Sequence, residues 1–385
     1  MARAIMSPAS VSCRQLRLRE FRNFAELELT LPAIGVAIIG DNGSGKTNLI
    51  EALYYFEIFR SFRAAPDEQL VRMGADAFHI RGIFEGPAAG EEREITAAYQ
   101  RRTRKKRVSV NGVVPERLGA ALGGVGAVVF SPSDVALVAG TPAERRRFLD
   151  IVLSLNVPGY LSALQRYRHV LRQRNAMLRE GAPPALLSAW DEGLISWGAR
   201  VTAERAAWVA ARSDGFARRH AAISGGAPAR LVYRSSVPLP GEEPSTPESA
   251  AEAFRAEIAR TAVRERERGV TLVGPHRDDL AFLLAGAGGE VDLREYGSGG
   301  QQRTAAIALR MIEAETVREA RGREPMVLLD DLFAELDTGR SRRILELLEE
   351  EERGQVILTA PKASDIEVRR GALPHWRIAH GEVST

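Results

Sequence analysis

The octapeptide Gly40-Asp41-Asn42-Gly43-Ser44-Gly45-Lys46-Thr47 fits the pattern G-x-x-x-x-G-K-[ST], and it lies between an apolar run at residues 36–39 and a helix-like stretch from Asn48. This is the pattern of a phosphate-binding loop joining a strand to a helix. Glycines let the backbone curl so that successive N–H groups face an anion, and the next helix turns its positive N-terminal end to the same charge. The loop from Gly40 to Thr47, with Asn48, is therefore expected to bind ATP. Lys46 is expected to reach the β and γ phosphates, with Thr47 on magnesium.

A second half of such a site lies farther along. Met326-Val327-Leu328-Leu329-Asp330-Asp331 is an apolar run ending in two carboxylates, which puts acids at the C-terminal end of a buried parallel strand. Asp330 is expected to hold Mg2+ alongside Thr47, and Asp331 to polarise the attacking water. Ser298-Gly299-Gly300-Gln301, roughly thirty residues before that strand, matches the signature of the ATP-binding-cassette superfamily. In that superfamily the signature grips the γ phosphate of a nucleotide held by another head. Glu335-Leu336-Asp337 resembles the D-loop of such dimer interfaces, with Asp337 as its acid.

One phosphate loop and one signature per chain imply that a complete site needs two chains. The expectation is an ATP-dependent homodimer sandwiching two nucleotides, closed by ATP and released by hydrolysis. Two departures from transporter cassettes stand out. The segment Gln355-Val356-Ile357-Leu358-Thr359-Ala360 carries no switch histidine, and Asp331 stands where a catalytic glutamate is usual, one methylene shorter. Slow turnover is expected from that shortening.

A length of 385 residues is long for one core and short for three, and an apolar fraction of 45% supports a packed globular chain. Cys13 is the only cysteine, which excludes a disulfide framework and a cysteine metal cluster and fits a reduced compartment. Residues 1–11 lack the blocks of a signal peptide, and no window approaches the roughly 20 apolar residues of a membrane helix. A cytoplasmic location without membrane insertion is expected.

Alternation at residues 14–18 and 26–31, the run at 36–39, and short segments at 79–85, 94–99 and 108–110 read as strands, with a helix over 48–59. From Thr141 the texture becomes helical, with Pro142 at the first helical position and Glu144 completing a capping box. Tyr160, Leu164, Tyr167, Leu171 and Leu178 mark one buried helical face, and Arg166, Arg168, Arg172, Arg174 and Arg179 read first as its solvated side and second as a DNA contact. Residues 224–249 read as an irregular connection before a last arm helix at 248–268. Helices of about 20 residues span only about 30 Å, which predicts a compact arm. The organisation is an α/β head of cassette type, 1–140 and 269–385, with a helical lobe at 141–268 inserted between its halves.

Only four of the 53 basic residues are lysines. Arginine-favouring codons explain most of that bias, although guanidinium groups also suit phosphate contacts. The densest cluster is Arg101-Arg102-Thr103-Arg104-Lys105-Lys106-Arg107, placed as an exposed hairpin tip before the Asn111-Gly112 turn. Two readings stand: a solvated turn, or a DNA phosphate contact through Arg101, Arg102, Arg104, Lys105, Lys106 and Arg107.

Several blocks together resemble the RecF family of bacterial recombination proteins: Leu16-Arg17-Leu18 with Phe21-Arg22-Asn23-Phe24, the loop GDNGSGKTNLIEAL, Val110-Asn111-Gly112, Arg145-Arg146-Arg147-Phe148-Leu149-Asp150, Gly274-Pro275-His276-Arg277-Asp278-Asp279-Leu280, and Gly299-Gly300-Gln301-Gln302-Arg303-Thr304. The resemblance covers nearly the whole chain. It implies a cassette head related to chromosome-maintenance ATPases, ATP-dependent binding of double-stranded and gapped DNA as a dimer, action with RecO and RecR to load RecA, and weak DNA-stimulated hydrolysis. Tyr296-Gly297 precedes Ser298 where many cassettes have leucine, and Ser131-Pro132-Ser133-Asp134 falls at the glutamine-loop position without a glutamine. His276 and Arg277 admit two readings, a catalytic pair or the stabilisers of a turn. Outside this family the motifs also fit the ATPase subunit of a membrane transporter or a structural chromosome-maintenance ATPase. The missing histidine, the inserted arm and the arginine run speak against the transporter.

Overall fold

Residues 36–38, 127–130, 326–329 and 356–358 are apolar, and such uninterrupted runs become parallel strands buried on both faces. The computed structural model describes residues 10–86, 90–226, 228–239, 246–286, 289–333, 336–351, 354–362, 373–379 and 381–384. They fall into two compact units, Met1–Asp134 with Glu313–Thr385, and Val135–Ile312.

The first unit begins with β1 (Ser12–Phe21), β2 (Phe24–Thr30), β3 (Gly35–Ile39), α1 (Lys46–Ile58), β4 (Ala77–Glu85), β5 (Glu92–Gln100), β6 (Lys105–Val110) and β7 (Ala127–Phe130). The second holds α2 (Ala136–Ala139), α3 (Pro142–Asn156), α4 (Tyr160–Arg179), α5 (Pro184–Ser224), β8 (Ala229–Arg234), α6 (Pro247–Arg268), β9 (Asp279–Gly286), β10 (Gly289–Asp292), α7 (Leu293–Tyr296) and the start of α8 (Gly299–Arg321). The first unit resumes within α8 and adds β11 (Met326–Leu329), α9 (Thr338–Glu351), β12 (Val356–Ala360), β13 (His375–Ala379) and β14 (Glu382–Ser384).

In the first unit a six-stranded sheet, order β14-β13-β3-β12-β11-β7, is parallel except for β14, and a five-stranded antiparallel sheet has the order β2-β1-β4-β5-β6. Helix α1 touches strands of both sheets, which explains why it is buried nearly all round. Its Phe56 meets Phe84 of β4 edge-on at 5.4 Å. Buried Gln355 joins the sheets' ends, accepting from the Cys13 amide at 2.8 Å and donating to the carbonyls of Cys13 and Pro32. Close sheet pairing also demands glycine at 35, since a Cβ there would lie 1.8 Å from the Val356 carbonyl oxygen.

The second unit departs from the sequence reading in four ways. Residues 224–249 are not wholly irregular: the apolar run at 231–233 forms β8, which pairs with β9 in the register Leu231↔Phe282 and Tyr233↔Leu280. Residues 240–245 of that segment lie outside the described set. Strands β9 and β10, at positions assigned above to the returning head, complete this three-stranded sheet in the second unit. The arm also contains a 41-residue helix, α5, about 60 Å long at 1.5 Å per residue, twice the expected length. Nothing in residues 184–224 stops it. Its Gly198 serves packing, because a Cβ would fall 2.3 Å from the Phe254 ring of α6.

Finally, Arg174 is not on a solvated face. It is buried and paired with Asp191 at 2.7 Å and Glu265 at 2.8 Å, a cross-helix network that helical periodicity alone does not reveal.

Candidate nucleotide-binding site

The phosphate loop follows β3 and is fixed by close approaches. A Cβ on Gly40 would sit 2.4 Å from the Ile378 carbonyl oxygen, and one on Gly45, at φ +116°, 2.5 Å from the Asn23 amide nitrogen. Asn23 lies in the β1–β2 turn and holds both sides of the loop. Its Nδ2 donates to the Ser44 carbonyl at 3.1 Å, while its Oδ1 accepts from Asn48 Nδ2 at 2.8 Å. Beside it, Arg22 forms a bidentate pair with buried Glu51 of α1 at 2.7 and 3.0 Å.

Strands β11 and β12 bring the two acids to this loop. Thr47 Oγ1 donates to Asp330 Oδ1 at 2.9 Å, and Lys46 Nζ lies 3.5 Å from Asp331 Oδ2. Lys46 also donates to the carbonyls of Gly40 at 2.8 Å and Asp41 at 3.2 Å. Lys46, Thr47, Asp330 and Asp331 thus form one constellation at the C-terminal ends of parallel strands, where α/β sheets bind ligands.

Thr359 belongs to it too, and the sequence reading noted it only as the absence of a histidine. Its hydroxyl lies 3.1 Å from Asp330 Oδ1 and accepts from the Asp331 amide at 2.9 Å. That amide sits in a left-handed turn, with Asp331 at φ +44°. The signal was the polar residue in the otherwise apolar β12.

Burial pushes the Asp330 carboxyl up to about 6, Thr47's hydrogen bond opposes this, and the charge of Asp331 adds to it. Ser44 Oγ and Asp331 Oδ1 are buried with no hydrogen-bond partner among the described residues. Two clustered carboxylates, a threonine hydroxyl and unsatisfied oxygens fit a divalent cation with a phosphate chain.

A raised carboxyl favours the folded chain while protonated; that contribution is complete below the ordinary 3.8 and lost as pH rises through about 6. Without nucleotide, Asp330→Asn is therefore expected to be more stable than the parent at neutral pH by on the order of 2–3 kcal/mol. The gain should vanish on acidification in a series of thermal melts. A pH-independent difference would remove charge burial as its cause.

The signature lies in the second unit. Ser298 is exposed and caps α8 reciprocally with Gln301: the Gln301 amide donates to Ser298 Oγ at 3.3 Å and the Ser298 amide to Gln301 Oε1 at 2.8 Å. Gly299 and Gly300 form the first turn behind it, and Tyr296 just before is 72% exposed. In the first unit Asp337 accepts the Arg340 amide at 2.9 Å at the start of α9, which holds its carboxyl below the usual range. Glu335 of the D-loop lies outside the described residues. Asp134 of the 131–134 segment is buried and accepts the Ser131 amide at 2.8 Å, closing a turn.

The basic run is divided by the structure. Residues 101–104 form the β5–β6 turn, and Arg102, Arg104, Lys105 and Arg107 are exposed. Two members are employed internally. Arg101 donates to the carbonyls of Ala75, Glu68 and Val71, while Lys106 pairs with Asp67 at 2.6 Å and lies over the Tyr55 ring, with burial lowering its pKa. For His276 and Arg277 the geometry is that of a turn. His276 Nδ1 is 2.6 Å from Tyr167 Oη and Nε2 3.1 Å from the Thr271 carbonyl, and burial brings its pKa down to about 4. Arg277 donates to the same Thr271 carbonyl at 3.2 Å.

Residues 12–372 match the RecF/RecN/SMC N-terminal domain family. The chain is 40% identical over 382 residues to the DNA replication and repair protein RecF of Frankia alni, covering 96% of this chain and 98% of that one. This chain belongs to the RecF family. RecF of Salinibacter ruber is 37% identical over 366 residues, covering 93% of this chain and 87% of its own. The structure of the recombination mediator protein RecF-ATP in the RecFOR pathway superposes with a TM-score of 0.87 at 29% identity, covering 99% of both chains. A Smc head domain from Pyrococcus furiosus, at 16% identity and a TM-score of 0.55 over 97% of this chain and 95% of its own, shares the fold. The α/β fold is thus that of RecF and Smc heads, and RecF membership sets the transporter-subunit reading aside. Among the described residues no helix is long and apolar enough to cross a membrane.

Proposed function

We propose that this RecF-family chain is a cytoplasmic ATP-gated DNA-binding protein of recombinational repair. The observation that carries the reading is the constellation of Lys46, Thr47, Asp330 and Asp331 around the phosphate loop, with Ser44 Oγ and Asp331 Oδ1 left unsatisfied. In this reading Lys46 exchanges two backbone carbonyls for the β and γ phosphates, and Thr47 and Asp330 hold Mg2+. Bound magnesium supplies charge neutralisation on those phosphates. Asp331 orients the attacking water and takes its proton, and its short side chain makes hydrolysis slow. Thr359, in place of a histidine, steadies both acids.

One phosphate loop and one exposed Ser298 signature per chain support completion of each site by a second copy of the chain. ATP then closes the homodimer on double-stranded or gapped DNA, and hydrolysis, stimulated by DNA, releases it. The relative solved with ATP in the RecFOR pathway supports a role with RecO and RecR in loading RecA. The deciding experiment is the anisotropy of a labelled duplex titrated with the chain in Mg-ATP, Mg-ADP and no nucleotide at one salt concentration. Tight binding only with ATP is expected; equal binding in all three would sink the gating.

Arg102, Arg104, Lys105 and Arg107 are the cations offered to DNA phosphates in this reading. Replacing all four with Gln is expected to lower the slope of log K against log salt by about 3.6, at about 0.9 per phosphate contact, with ATP binding unchanged. An unaltered slope would place the duplex elsewhere.

A further inference from the structure

The run Arg145-Arg146-Arg147, conspicuous in the sequence, is not used by the nucleotide site. In the second unit α3, α4, α5 and the turn at 275–276 line a half-open cavity of about 260 Å³ formed by Arg146, Arg147, Arg168, Arg205, Asp150 and His276, with apolar walls that include Leu164 and Pro275. Four guanidinium groups thus line a space with one carboxylate.

That carboxylate is already committed. Asp150 Oδ1 accepts from Tyr160 at 2.8 Å and from Arg205 at 2.7 Å, and Oδ2 from Arg168 at 2.7 Å. Arg205 is itself 2% exposed and fixed further by the Pro275 carbonyl at 2.6 Å and Tyr160 Oη at 3.0 Å. Arg146 reaches a neutral partner, donating to the Asp278 carbonyl at 2.8 Å, and has no carboxylate within ion-pair distance among the described residues. Burial first and the neighbouring Arg205 second lower its pKa, against the opposing charges of Asp279, Asp278 and Asp150. His276, held by Tyr167 and Thr271, brings a neutral ring to the wall. A guanidinium fork fixed by packing at Arg205, the half-buried Arg146 beside it, and the exposed Arg147 and Arg168 together match the planar, bidentate recognition of a phosphoryl group.

We infer that this cavity binds the phosphoryl group of a phosphorylated ligand, at a site separate from the ATP loop. The phosphoryl group comes either from a DNA backbone or from a small phosphorylated molecule. The inference does not depend on ATP gating. It survives if the duplex titration above shows no nucleotide effect.

The test is residue-resolved modification of the full chain by phenylglyoxal, read by mass spectrometry, with orthophosphate as the probe. Saturating orthophosphate is expected to slow modification of Arg147 and Arg168 about tenfold while leaving Arg102 and Arg104 of the β5–β6 turn unchanged. Unprotected Arg147 and Arg168 would overturn the inference. Equilibrium dialysis provides the second measurement: Arg147→Ala with Arg168→Ala is expected to bind one equivalent of labelled orthophosphate fewer than the parent, and equal stoichiometry in a chain with a parental melting curve also overturns it. Adding duplex then separates the sources. Displacement of the orthophosphate assigns the site to a DNA phosphate, and retention assigns it to a small phosphorylated ligand.

Discussion

The Lys46→Met chain is expected to bind ATP about a hundredfold more weakly or worse, and to lose ATP-dependent pairing and DNA binding with it. Lys46 is 3% exposed, and its ammonium lies within 3.5 Å of Asp331 and closer still to two loop carbonyls. Those are the partners that phosphate oxygens would replace. Methionine roughly preserves length and packing but brings neither charge nor donor, so the fold should persist while Asp331 loses its counter-charge. Titration with a fluorescent ATP analogue reads the first effect, and sedimentation with and without Mg-ATP reads the second. Dimers that still form on adding ATP would refute nucleotide as the adhesive between copies.

Removing the negative charge one step from the chemistry should act differently. Asp331→Asn is expected to retain ATP binding and slow hydrolysis by about a hundredfold, the range of a lost general base, leaving a long-lived closed dimer on DNA. The mutation keeps the backbone amide that donates to Thr359 at 2.9 Å, and it lightens the burden on Asp330, whose carboxyl Asp331 pushes upward. Single-turnover hydrolysis and the dissociation rate of the DNA complex are the two readouts. Unchanged hydrolysis would reassign the water-orienting role, with Thr359 and Asp330 the nearest alternatives.

The nucleotide loop and the acidic strand were legible because their chemistry is written in contiguous residues. Gly40 to Thr47 needs its own glycines, and Asp330 and Asp331 follow their own apolar strand. Asn23, Thr359 and Gln355 were not legible as site or fold elements, because each acts through partners that only the folded sheets bring near. Asn23 meets Ser44 across 21 positions, and Gln355 meets Cys13 across 342. The same blindness affected charge. Arg174 looked solvated on its helix and Lys106 looked like part of a DNA patch, yet both are spent on buried or half-buried pairs. A sequence shows where charges lie along the chain but not which acids fold against them. The GPHRDDL block shows the converse, since its Asp278 is fully buried, accepting from Ser236 and Tyr233, and so serves the second unit's architecture.

Strand β6 ends the five-stranded sheet, so its outer backbone groups form an edge, with Val113 and Val114 exposed just beyond it. Open edges beside apolar residues are templates for stray strand addition, and charged side chains are the usual safeguard. Lys105 and Arg107 stand on that edge. Lys105 and Arg107, proposed above to meet DNA phosphates, thus also supply the charge that guards this border, so that neutralising them would leave a sticky edge open to strand addition from other copies of the chain.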